Sequence, residues 1–221
     1  MNRRSATRGA TMIELLLAVV LVLLPLALGT LQVAHLIMGK HLLNLATLMA
    51  ARAAAVNHGS VGAMREELAR GLVPLYGNAT ELAESNAVTP VLEALARATA
   101  EVVRSDITRI VIDNPTRDSF ADFEVEHRGV RQIPNGHLEY RGSRSGARSR
   151  QTLLDANTLV IRVYYCQRLI FPLVDRAIPA LLATTERDVF ARNCYDNRRV
   201  PLMSRSIVIM HSPPRRAAMG L

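Results

Sequence analysis

The stretch that decides the reading is Gly9, Ala10, Thr11, Met12, Ile13 and Glu14, followed by the run LLLAVVLVLLPLALGTL over residues 15–31. A short basic segment with Arg3, Arg4 and Arg8 precedes it. About 20 consecutive apolar residues suffice to cross a bilayer. Basic residues ahead of such a run place the preceding end in the cytoplasm, and everything after Met38 is sent outward. The apolar pattern continues through Val33, Leu36, Ile37 and Met38 to Leu42, Leu43, Leu45 and Ala46 without a turn signal. That continuity predicts one helix, not a cleaved peptide and a new start.

Three readings of this segment compete. A secretory signal peptide also joins a basic region to an apolar one, and Ala27-Leu28-Gly29 has the small residues of a cleavage site. Glu14 argues against it, because a carboxylate carried into the bilayer centre costs about 2.5 kcal/mol or more. A plain single-span anchor is the second reading, and it leaves Gly9 and Glu14 without a purpose. Pro25 lies near the middle of the span and, lacking an N–H, is expected to kink or loosen the helix there.

The third reading accounts for both residues. Arg8-Gly9 followed by Ala-Thr-Met-Ile-Glu-Leu resembles the processing site of type IV pilins and pseudopilins, where a prepilin peptidase cuts after Gly and Glu stands fifth in the mature chain. Counted from Ala10, Glu14 is fifth. The resemblance implies that Gly9 and Ala10 flank the cut and that Glu14 pairs with the free amine of Ala10 on a neighbouring subunit. An ion pair in lipid relieves the penalty that each charge carries alone. Within that superfamily the chain is similar to TadE-like and TadG-like proteins of tight-adherence pilus systems. The similarity rests on the segment from Gly9 to Leu15, on Leu-Val-Leu-Leu-Pro25-Leu, and on the alanine-rich stretch around Arg52 over residues 45–56. It covers about fifty residues. Leu15 departs from the Phe or Tyr common after the Glu in tight-adherence proteins, which leaves a minor pilin of a related pilus or secretion system open.

The implied partners are the cytoplasmic membrane, a prepilin peptidase, other pilins or pseudopilins and the pilus assembly platform. The implied location is the bacterial inner membrane, spanned once, with the head outside or in an extracellular filament.

Composition agrees with such a two-part chain. Of 221 residues 49% are hydrophobic, enough for one ordinary core. The net charge of +8 falls to +5 without the three leader arginines, a balance that permits anionic partners and identifies none. Cys166 and Cys194 are the only cysteines. In an exported head they are expected to form a disulfide closing a loop of roughly 30 residues, stabilising by about 3 kcal/mol. Two reduced, buried thiols are the alternative.

The boundaries read as follows: a leader over residues 1–9, a transmembrane and stalk helix over 10–57, an extracytoplasmic head over 58–212 and a disordered tail over 213–221. In the stalk, Leu42, Leu45 and Met49 form one stripe and Ala46, Ala50 and Ala53 another, suited either to a second helix or to this chain's own head. Asn57-His58-Gly59-Ser60 stops the helix. Residues 61–70 and 89–104 read as helices, and 107–113, 120–126, 159–165 and 201–211 as strands. The fold class is α+β, a long N-terminal helix followed by a small head in which helices cover an antiparallel sheet.

Residues 141–150 read as a flexible basic loop in which Arg141, Arg144, Arg148 and Arg150 are the candidates for polyanion contact. No aromatic residue interleaves with them, which disfavours nucleic acid. The six histidines form no HExxH, and no GxSxG or phosphate-cradling glycine loop occurs. The chain therefore reads as a non-enzyme without cofactor, metal or small-molecule substrate. A membrane-tethered binding module that does not polymerise is the competing reading.

Overall fold

The computed structural model describes residues 7–77, 88–141 and 143–221, with side chains from Met12 onward. Helix α1 (Thr7–Ala18) runs into a π-helical turn (Val19–Leu23) and then into α2 (Leu24–Val56). The π turn stands immediately before Pro25, and the Leu24 N–H reaches back five residues to the Val19 carbonyl. Pro25 has no N–H to offer Leu21, and its ring crowds that carbonyl in an ordinary α-turn. Widening the turn by one residue is the usual way for a helix to absorb such a misfit.

The chain divides into two compact units, residues 1–38 with 166–201 and residues 39–165 with 202–221. The larger unit is built on the end of α2, where Leu43, Ala46, Thr47, Ala50, Ala51, Ala54 and Ala55 are all buried. Their three- and four-residue spacing marks one helical face. Helix α3 (Val61–Leu72) buries Met64, Leu68, Ala69 and Leu72. It approaches α2 so closely at Gly71 that an added Cβ would stand 2.6 Å from the Ala46 Cα. The alanines therefore line this unit's own interior. Helix α4 (Val88–Val103) packs on α3 and buries Ala94, Ala98 and Val102 at four-residue intervals.

The sheet has the order β1-β4-β5, formed by β1 (Thr108–Asn114), β4 (Thr158–Arg168) and β5 (Arg199–Ile209). β1 and β4 are antiparallel, with Ile110 opposite Val163 and Ile112 opposite Ile161. Leu159, Ile161, Val163 and Tyr165 turn one side of β4 into the core. Along β5 the inward residues are Ser204 and Ser206, while Met203, Arg205, Ile207 and Ile209 are exposed.

The structure departs from the expectations at two places. Residues 120–126 do not form one strand: α5 (Arg117–Phe123) precedes β2 (Val125–His127), which pairs with β3 (Val130–Gln132). A reciprocal cap between Thr116 and Ser119 starts that helix, and Phe120 enters the core three residues ahead of Phe123. A capping box and a three-residue apolar spacing prevail over the local alternation.

The tail over residues 213–221 is not disordered. Helix α2 ends in a Schellman-type turn in which the Gly59 N–H donates to the Ala54 carbonyl at 2.8 Å. The Ala55 carbonyl accepts from the N–H groups of His211 and Ser212 at 3.0 Å each, and from Ser212 Oγ at 2.9 Å. The His58 N–H donates to Ser212 Oγ, the Arg215 N–H to the His58 carbonyl, and the Ile133 N–H to the Pro214 carbonyl. A last helical turn, α9 (Arg216–Met219), sets Met219 against Gly59, where an added Cβ would clash with its side chain at 2.0 Å. The tail is ordered because it supplies the polar groups that the end of α2 lacks.

The smaller unit contains the N-terminal helix to Met38, α7 (Val174–Ala183), α8 (Val189–Asp196), and the adjoining ends of β4 and β5; a short α6 (Leu153–Ala156) belongs to the larger unit. Gln32 is fully buried, and its Oε1 accepts from the N–H groups of Ile170 and Phe171, each at 3.1 Å. Gln167 Nε2 lies 2.9 Å from His35 Nε2. Asp188 caps α8, and Cys194 on that helix is bonded to Cys166 on β4.

Candidate functional site

The helix over Met12–Val56 is 45 residues long and apolar enough to cross a membrane, and none of its most apolar 18-residue window is buried. Leu15, Leu16, Leu21, Val22, Leu23 and Leu26 are all exposed. So many bare aliphatic side chains on one helix would be costly in water, at about 25 cal/mol per Å² of apolar surface. They suit hydrocarbon.

Glu14 stands at the head of this surface, exposed, and no cation pairs with it among the described residues. Gly9 and Ala10 lie in the same helix, α1, one turn before Glu14, so residues 10 and 14 occupy one helix face. Arg3 and Arg4 of the leader lie outside the described residues.

Cys166 and Cys194 form the disulfide, both buried, with Cα atoms 5.4 Å apart and a sequence separation of 28. The bridge closes a segment carrying all of α7 and most of α8. Arg199 Nη1 donates to the Cys166 carbonyl at 3.2 Å, and Arg198 pairs with Asp175 at 3.5 Å.

Arg141, Arg144, Arg148 and Arg150 are all exposed. Their loop is held in a defined turn. Asp122, near the end of α5, accepts from the N–H groups of Arg148 and Ser149 and from Ser149 Oγ, the last two at 2.7 Å. Arg141 Nε donates to the Gly136 carbonyl at 3.0 Å. The loop that carries these arginines therefore rests on a carboxylate through the backbone of Arg148 and the backbone and hydroxyl of Ser149.

These hydrogen bonds, those from Ser149 first, hold the Asp122 carboxyl below its ordinary range. The unfolded value is about 3.9. A lowered carboxylate contributes order that is fully present above that value and lost as pH falls through the folded one. The Arg148 and Ser149 amide resonances are expected to titrate together with a midpoint below about 3.9. Asp122→Asn should abolish the transition in the same NMR titration; an unchanged transition would assign it to another group.

A polar cluster that no single stretch of the sequence contains lies across β1 and β4. Arg162 donates from Nε and Nη2 to the two oxygens of Asp113, both at 2.6 Å, and from Nη1 to Tyr164 Oη at 3.2 Å. The guanidinium of Arg109 sits 4.5 Å from the centre of the Tyr164 ring. This ion pair raises the affinity of Arg162 for its proton. The available signal is the period of two in Arg109, Val111, Asp113 and in Arg162, Tyr164, which puts them on one sheet face once the register is known. A shallow groove beside it is lined by Asp113, Asn114, Asp155, Val160, Arg205 and Ile207. Asn114 ties its base together, donating to the Asp155 and Thr158 carbonyls and accepting from Gln151 Nε2 at 2.8 Å. The arrangement is a structural ladder.

Among the described residues no group of three His, Cys, Asp or Glu side chains is placed to hold a metal ion. Compared with known proteins, the chain matches no family model, no curated protein and no solved structure.

Proposed function

We propose that this chain is a minor pilin or pseudopilin of the TadE-like kind, processed after Gly9 and acting in assembly of a tight-adherence or type IV-like pilus or a related secretion filament. The observation that carries this reading is Glu14, an exposed carboxylate at the head of a long, bare apolar helix, with no cation paired to it among the described residues. In lipid that charge is relieved by a partner from another subunit, and the amine freed by cleavage before Ala10 is such a partner. The Cys166–Cys194 bridge supports export of the head into an oxidising compartment. The N-terminus is then cytoplasmic, and the helix crosses the inner membrane once. A tethered binding module would share the helix and the bridge, but it gives Glu14 nothing to do.

Mass spectrometry of the protein recovered from membranes is expected to find a chain beginning at Ala10. An intact Met1, or a chain starting near Thr30, would overturn processing at Gly9.

A further inference from the structure

The segment closed by the disulfide carries an exposed apolar surface. Ile170, Leu173, Ala177, Ala180 and Leu181 are exposed; Leu173 is the residue just before α7, and within the helix the spacing of residues 177, 180 and 181 puts them on one face. Between residues 169 and 185 the only charged side chains are Asp175 and Arg176. Asp175 is occupied by Arg198.

The surface is continuous with the apolar helix of the same unit. Leu173, Val174, Ala177 and Ile178 line one shallow apolar groove together with Pro25, Leu26, Gly29 and Val33. Gln32 fixes that level, since its buried Oε1 holds the N–H groups of Ile170 and Phe171. Residues 12–29 rise about 27 Å at 1.5 Å per residue. The hydrocarbon core is about 30 Å thick. A span that starts near Met12 therefore reaches the outer boundary around residues 29–33, the level to which α7 is tied.

We infer that α7 and the turn before it form a second, non-spanning membrane contact, with Ile170, Leu173, Ala177 and Leu181 seated in the outer leaflet at the boundary between headgroups and acyl chains. The inference rests on the single-span reading proposed above. The occupant is lipid because the bare face adjoins the lipid-facing side of the span. An amphipathic helix at this boundary sinks about 5–10 Å, a depth that covers such a face. The disulfide then joins the contact to β4 through Cys166.

The chain contains no tryptophan, so single substitutions report depth without background. The full-length protein would be reconstituted into phosphatidylcholine vesicles carrying bromine either near the headgroup or near the acyl-chain end. Leu181→Trp is expected to emit at a blue-shifted wavelength and to lose most of its emission to the shallow bromines. Leu21→Trp, within the span, should be quenched more by the deep bromines, and Val125→Trp by neither. Quenching of position 21 with none at position 181 overturns the α7 contact and leaves the span intact. Loss of quenching at both positions overturns the span and with it this inference. A blue shift at position 181 that varies with protein-to-lipid ratio and resists bromine would assign the face to a second copy of the chain, and lipid would be the wrong occupant.

Discussion

Replacement of Glu14 by alanine is expected to leave the protein in the membrane and to remove it from any filament. The substitution takes a carboxylate out of the head of the span, which eases insertion by up to about 2.5–3.5 kcal/mol if the group reaches the bilayer centre. Insertion of the single subunit should therefore be undiminished. Assembly should fail, because the neighbouring subunit's amine would then lie in lipid without its counter-charge, and leaving one member of a buried pair alone costs about 3–5 kcal/mol. By the affinity scale that is a loss of at least a hundredfold. Glu14→Gln, which keeps the shape and loses the charge, should behave the same way. Immunoblots of sheared filaments against the membrane fraction make the comparison. Wild-type incorporation of either variant would show that Glu14 is not an assembly residue and would favour a tethered, non-polymerising head.

The second large effect is expected at the disulfide. Exchange of Cys166 and Cys194 for serine together removes a constraint spanning 28 positions, which corresponds to about 3–4 kcal/mol in the chain-entropy account. Both positions are buried, so each new hydroxyl also loses water. The loss falls on the smaller unit, where α7 and α8 depend on the closed loop. Limited proteolysis should cut between residues 169 and 190 a few hundred times faster, the factor that about 3.5 kcal/mol represents in an opening equilibrium. Cleavage within the larger unit should change little. Equal acceleration in both units would mean that the bridge stabilises the whole chain and not this segment.

The elements legible in the sequence are those whose signals are local and strong. The run over residues 15–31 declares its helix by length alone. The strands at 107–113 and 159–165 stand out through β-branched residues, and their observed limits differ by only a few positions. The helix stop at His58 and Gly59 is equally plain. Where reading failed, the deciding partner was far away or the local codes conflicted. Phe123 and Val125 alternate with Glu124 and Glu126 and suggest a strand reaching back to Phe120, yet the cap offered by Thr116 and Ser119 starts a helix. Residues 213–221 carry two prolines and two arginines and have the composition of a loose end. Their order comes from His58, which meets Pro213 and Arg215 from more than 150 positions away, and from the Ile133 N–H on Pro214, partners that no window on the sequence can contain. Asp122 is similar: a single acid near the end of a short helix gives no sign that the turn at Arg148 and Ser149 rests on it. The candidate site shows the same division. Gly9, Ala10, Glu14 and Pro25 belong to one continuous segment and could be read together, whereas Arg109, Asp113, Arg162 and Tyr164 become neighbours only through sheet register.

The docking of residues 211–219 onto the end of α2 also bears on timing. A contact between His58 and Ser212 closes a loop of 154 positions. Such distant closures form late, because the entropy of the intervening chain is lost before the contact rewards it. A chain delivered from its N-terminus has its long helix early and waits for its last residues to seal that helix's far end. The order of synthesis and the order of closure thus coincide, and the helix end stays unsealed until residues 211–219 have arrived.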